Sequence, residues 1–150
     1  MATCKIAING FGRIGRLTLR ALLQKADADV EIVAINDLTD NATLAHLFRY
    51  DTAHGKFDGT VSSDDDSISI NGNRMNAYAE RDPSNLPWGD LGVDIVLECT
   101  GFFRKKEDAA KHITAGAKKV LISAPGKGDV KTIVLGINDE QLTAEDTIVS

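Results

Sequence analysis

The segment Lys5-Ile6-Ala7-Ile8-Asn9 is apolar and rich in small and β-branched residues, and it runs straight into Gly10-Phe11-Gly12-Arg13-Ile14-Gly15. A strand that feeds GxGxxG and then opens a helix constrains a chain tightly, because each glycine has a separate task. Gly10 lets the chain turn sharply out of the strand. Gly12 removes a side chain where a pyrophosphate would approach, and Gly15 lets the helix pack closely on the sheet. The N–H groups of Arg13 and Ile14 are then expected to be free and to face an anion, aided by the helix dipole. Taken alone the triplet is weak, since glycines in a turn often make nothing more than a tight connection.

A second feature strengthens it. The next apolar run ends in Asn36-Asp37, about 20 residues beyond the last glycine, where a dinucleotide-binding unit places the carboxylate that accepts hydrogen bonds from the adenosine ribose. A fixed carboxylate there repels the 2′-phosphate of NADP, so the reading is NAD rather than NADP. Asp37 is also suited to capping the turn that follows.

Apolar runs alternate with helix-like segments along the rest of the chain, the pattern of a parallel sheet covered by helices. Strands are expected at Lys5–Asn9, Glu31–Asn36, Val93–Glu98, Lys119–Ser123, Thr132–Gly136 and Thr147–Val149. A helix over Arg13–Lys25 has Ile14, Leu17, Ala21 and Leu22 as its apolar face. A second over Asn41–Tyr50 carries Leu44, Leu47 and Phe48, with Asp40 as N-cap. A third over Lys106–Ala115 has Glu107 and Asp108 in its first turn and exits at Gly116. Between Gly55 and Ala79 the period shifts to alternation around Asn71-Gly72, a hairpin signal, which marks an antiparallel excursion. The fold class is therefore α/β: a doubly wound, mostly parallel sheet of the Rossmann type with a small antiparallel excursion, forming one domain over residues 1–150.

Net charge is −5 at pH 7, the wrong sign for general attraction to nucleic acid. No segment approaches the roughly 20 apolar residues of a membrane span, and no secretory leader is evident, so a cytoplasmic location is expected. Cys4 and Cys99 are the two cysteines; neither has metal-ligand spacing, and both read as packing residues. The acidic triplet Asp64–Asp66 sits in a Ser-rich turn without calcium-loop spacing and reads as solvated loop. No metal site is expected. His46 and His112 fall in helices among polar neighbours and His54 in a loop, none placed as a catalytic base.

Several segments together resemble one family. Asn9–Arg16 as NGFGRIGR, Asn36–Leu38 as NDL, Tyr50–Gly55 as YDTAHG, Ala79–Pro83 as AERDP, Thr100–Phe103 as TGFF and Ser123–Pro125 as SAP look like phosphorylating, NAD-dependent glyceraldehyde-3-phosphate dehydrogenase, in order and across the chain. The resemblance implies that Arg13 and Ile14 bind the pyrophosphate and Asp37 the adenosine ribose. It further implies that the Arg81 backbone meets the adenine, that Thr100 and Phe103 line the adenine end, and that Ser123 meets a cofactor hydroxyl or phosphate. Within the glycine motif, Asn9, Gly10, Phe11 and Gly12 complete the expected cofactor-binding set. The chain departs from the common family pattern at Arg104, where Thr often stands, and at Gly126, where Ser is usual.

In that family glyceraldehyde 3-phosphate, NAD and phosphate give 1,3-bisphosphoglycerate and NADH in glycolysis, through a cysteine expected soon after the strand Thr147–Val149. That residue is not among these 150, so NAD binding without turnover is the expectation. The glyceraldehyde 3-phosphate and phosphate sites, and a homotetrameric assembly, belong to the full-length parent. Two alternatives stay open: the corresponding half of erythrose-4-phosphate dehydrogenase, and a cofactor-binding module without catalysis.

Overall fold

The computed structural model describes residues 3–25 and 29–150. From the N-terminus, β1 (Cys4–Asn9), α1 (Arg13–Leu23), β2 (Val30–Asn36) and α2 (Asn41–Arg49) form a β-α-β-α run. Short β3 (Tyr50–Asp51) and β4 (Gly55–Lys56) pair with each other, and β5 (Val61–Ser63), β6 (Ser67–Ile70) and β7 (Asn73–Tyr78) follow. A single helical turn, α3 (Trp88–Leu91), leads to β8 (Ile95–Glu98), α4 (Lys106–Thr114), β9 (Lys119–Ile122) and β10 (Ile148–Val149). The main sheet has the order β10-β9-β8-β1-β2-β7-β6-β5.

Six of these strands are parallel neighbours, from β10 across to β7. Both faces of the sheet are covered, which explains the near-continuous apolar runs. Adjacent residues of one strand enter different cores. Ile8 and Ile35 pack with Phe11, Leu19, Leu44 and Phe48 on one face, whereas Ala7 and Ala34 pack with Trp88, Val93 and Val96 on the other. Residues of period two thus divide between two apolar layers, the mark of a doubly wound sheet.

The antiparallel excursion is present, closed by Asn71 and Gly72, both at positive φ (51° and 81°) as a two-residue type I′ turn requires. It does not stand apart, however. Its last strand, β7, pairs parallel with β2 in the register Ala34↔Asn76, and so becomes the third strand of the first half of the sheet.

Three local expectations change. Thr132–Gly136 is not a strand: Asn138 takes the Thr132 carbonyl at 3.0 Å and the Val134 N–H at 2.7 Å, and these side-chain bonds replace a ladder. On α1 the buried residues are Gly15, Leu19 and Arg20, while Ile14 is 54% exposed in the first turn. On α2 the buried set is Leu44, Ala45 and Phe48, with Leu47 outside it.

Arg20 is buried with its guanidinium on the carbonyls of Phe48, Arg49 and Gly55. It satisfies the negative C-terminal end of α2 from the neighbouring helix and so needs no carboxylate partner. Asp40 caps the other end of α2 by accepting the Thr43 N–H at 2.8 Å.

Candidate functional site

Strand order reverses direction at β1 and β8: successive strands proceed to β2 and β7 on one side, and to β9 and β10 on the other. A crevice opens at the C-terminal ends of two such strands, because their continuations leave over opposite faces. Here Asn9 is aligned with Glu98. Beyond them the chain runs into the glycine loop and α1 on one face, and into the Thr100–Phe103 loop and α4 on the other.

The three glycines of the loop differ in what surrounds them. Gly10 has φ +92°, and a β-carbon on it would lie 2.8 Å from the Thr100 nitrogen, so only glycine lets the two strand ends approach. A β-carbon on Gly15 would meet the Gly10 carbonyl oxygen at 2.3 Å, which fixes close packing of helix on loop. Around Gly12 a β-carbon would meet nothing within 4 Å; its freedom serves no contact inside the protein.

Gly12 is also the N-cap of α1 and offers no side-chain cap. The first helical bond is from the Arg16 N–H to the Gly12 carbonyl at 3.0 Å. Among the described residues, the N–H groups of Arg13 and Ile14 have no protein acceptor. Main-chain donors thus point outward beside open space, at the positive end of an 11-residue helix.

Asp37 stands at the end of β2. Its Oδ2 accepts the Phe11 N–H at 2.8 Å and its Oδ1 accepts the Thr39 N–H at 2.9 Å. A carboxylate has about four acceptor positions, so two are left for a ligand.

One cleft of about 520 Å³ gathers Asn9, Gly10, Gly12, Asp37, Arg81, Thr100 and Phe103 of the expected set. Its wall also includes Asn36, Leu38, Glu80, Cys99 and Phe102, which the sequence reading did not place there. Leu38 and Phe102 are 59% and 85% exposed. Such apolar surface at a cleft mouth suits the faces of a flat heterocycle.

Four expected residues lie outside that wall. Arg13 and Ile14 are exposed in the adjoining helical turn. Phe11 points into the core and stacks on Phe48 at 5.9 Å, with its N–H already given to Asp37. Ser123, just after β9, donates its N–H to the Glu98 carbonyl at 3.0 Å.

Outside the cleft wall, Arg13 and Asp51 form an ion pair. Arg13 donates to Asp51 Oδ2 at 3.1 Å, while the N–H groups of Ala53 and His54 reach Oδ1. The His54 N–H is the main cause that holds the Asp51 carboxyl down to about 2, with Arg13 assisting. His54 serves this loop through its ring as well, 3.2 Å from Asp51. Burial pushes the Cys99 thiol up, partly opposed by Ser123, and burial also raises Cys4.

His112 corrects the sequence reading: it is fully buried and not among polar surface neighbours. Its Nε2 lies 2.7 Å from Glu98 Oε2, and Trp88 donates to its Nδ1 at 3.0 Å. Spacing on α4 carries a signal for this, since Ala109, His112 and Ile113 share one helical face.

Comparison with known proteins agrees with this geometry. Residues 4–106 match the family model described as glyceraldehyde 3-phosphate dehydrogenase, NAD binding domain. The chain is 56% identical over 146 residues to a glyceraldehyde-3-phosphate dehydrogenase of Clostridium acetobutylicum, covering 97% of this chain and 43% of that protein. A Thermotoga maritima protein of the same name is 54% identical over 146 residues, covering 97% and 44%. The chromosomal one of Cupriavidus necator is 57% identical over 150 residues, covering 99% and 45%. The chain therefore spans less than half the length of these relatives.

Proposed function

This chain belongs to the glyceraldehyde 3-phosphate dehydrogenase family, as its NAD-binding domain, and we propose that residues 1–150 form one unit that holds NAD in the cleft between the ends of β1 and β8. The observation that supports this most is the pairing of bare Arg13 and Ile14 N–H groups with the open space at Gly12, beside a carboxylate with acceptor capacity to spare. The pyrophosphate lies on the first turn of α1, where main-chain donors and the helix dipole act together. Asp37 takes the hydroxyls of the adenosine ribose and disfavours a 2′-phosphate by charge and by space. Leu38, Phe102 and Phe103 cover the adenine, with the Arg81 main chain at its edge and Thr100 beneath it. Asn9 and Gly10 form the floor, Phe11 braces the loop from the core, and Ser123 stands at the far end.

When bound, NAD supplies a hydride acceptor. For the whole protein we propose oxidation of glyceraldehyde 3-phosphate with phosphate, in the cytoplasm and as a homotetramer, following the family. That reaction needs an activated thiol held against the substrate. Neither cysteine here provides one: burial raises both thiols, and Cys99 sits in the wall of the cleft. Residues 1–150 on their own bind NAD without turnover.

Calorimetry with NAD and NADP tests the reading. A one-to-one heat with NAD and a much weaker one with NADP is expected; no heat with either overturns it. NADH formed from glyceraldehyde 3-phosphate and phosphate by the pure chain, and lost in Cys99→Ser, would overturn the inactive assignment.

A further inference from the structure

The largest buried polar cluster among the described residues lies directly under the cleft, and its inner members Trp88, His112 and Glu98 have no part in the roles above. Trp88, His112, Glu98, Asn9 and Asn36 are all buried. An indole N–H can only donate, so His112 Nδ1, 3.0 Å from it, is an acceptor without hydrogen. The hydrogen is then on Nε2, which donates to Glu98 Oε2 at 2.7 Å. Asn9 Nδ2 donates to the same oxygen at 2.6 Å. Thr100 gives the other oxygen both its N–H, at 3.0 Å, and its hydroxyl, at 2.5 Å. Four donors converge on Glu98, which is an acceptor only.

The order continues on the other side. Asn9 Oδ1 accepts from Asn36 Nδ2 at 2.7 Å. Asn36 in turn donates to the Glu80 carbonyl at 2.9 Å and accepts the Glu80 N–H at 2.8 Å. Asn9 Nδ2 also lies 3.4 Å from His112 Nε2, a donor beside a donor; the other bonds from Trp88 to Glu80 each run from donor to acceptor, and together they join the two walls of the cleft: the Thr100 loop on one side and the segment leading to Arg81 on the other. The Phe103 ring also sets its edge against His112, with centroids 6.4 Å apart. A buried network of directed hydrogen bonds rigidifies the groups it joins.

We propose that His112 is a positioning residue for the adenosine half of the cofactor: locked in the Nε2–H form by Trp88, it fixes Glu98, and through Glu98 sets the spacing of the two cleft walls. This rests on the reading that the cleft holds NAD. It assigns a binding role to residues that touch no ligand, since neither His112 nor Trp88 lines the cleft.

The test compares the 150-residue chain with His112→Phe and His112→Gln by calorimetry with NAD and with ADP-ribose. Loss of the donor in His112→Phe is expected to weaken both ligands about tenfold, and the amide of His112→Gln, which still donates to Glu98, to recover most of that loss. A folded His112→Phe that binds both ligands within about twofold of the unsubstituted chain overturns the inference. A measurement on the unsubstituted chain serves if that variant does not fold. Nitrogen-15 spectra should show the Nε2–H form of His112, and NAD should shift the His112 and Trp88 N–H resonances although both are remote from the ligand. The other tautomer, or resonances that stay still while the Thr100 amide moves, overturns it. No heat with NAD from the unsubstituted chain is a different failure, that of the cofactor reading itself.

Discussion

Asp37 accepts a 2.8 Å hydrogen bond from the Phe11 N–H, 26 residues earlier, and so ties the end of β2 to the middle of the glycine loop. The group proposed to receive the ribose is also a brace for the loop that receives the pyrophosphate. These two roles separate on substitution.

Asp37→Asn removes the charge and keeps one amide oxygen, which can accept from Phe11 or from Thr39 but not from both as the two carboxylate oxygens do. Stability should fall by about 1 kcal/mol, while the preference for NAD over NADP narrows by about tenfold or more. Asp37→Ala removes the brace too and should cost about 1–2 kcal/mol in chemical denaturation, along with NAD affinity. Calorimetry with both cofactors, beside urea unfolding, checks each part.

Gly12→Ala and Gly10→Ala should differ in kind. The added methyl of Gly12→Ala meets no protein atom, so the thermal midpoint should hold while NAD affinity falls by about tenfold. Gly10→Ala puts a methyl against the Thr100 main chain at positive φ and should lower stability by about 1–3 kcal/mol whether or not NAD is present. Equal loss of stability in both variants would contradict the separate tasks assigned to them.

Cys99 lies in the cleft wall and Cys4 does not. Since burial raises both thiols, alkylation should be slow at each near neutral pH. Saturating NAD should slow the reaction at Cys99 and leave Cys4 unchanged, as read by peptide mass spectrometry. Protection of both or of neither contradicts the placement of the ligand.

Acid should weaken the fold through two carboxylates. The His54 N–H holds Asp51 down to about 2, and Lys131, at 2.6 Å, does the same for Asp146. A carboxyl whose folded pKa lies below its unfolded value of about 3.9 contributes stability that is complete above that value and is lost as pH falls through the folded one. The thermal midpoint should therefore fall between about pH 4 and pH 2, and less steeply in Asp51→Asn and Asp146→Asn than in the unsubstituted chain.

The sheet was legible because strands buried on both faces leave continuous apolar runs, and the candidate cleft because Gly10, Gly12, Gly15 and Asp37 each answer a distinct steric or electrostatic demand. What escaped depends on partners distant in sequence. His112 meets Trp88 and Glu98 only after α4 folds onto the sheet. Arg20 looks like a surface charge until α2 presents its carbonyl end. Phe11 sits inside a ligand motif, yet stacks on Phe48 in the core. Thr132–Gly136 has strand composition, but Asn138 captures its main chain first.

The central claim is that main-chain donors in the first turn of α1 grip the pyrophosphate. Titrating NAD into nitrogen-15-labelled protein and following the amides of Gly12, Arg13 and Ile14 tests it most directly. Saturable downfield shifts at these three amides, reproduced by ADP-ribose, are the predicted result. Amides that remain at their free positions while NAD demonstrably binds elsewhere on the chain would contradict it.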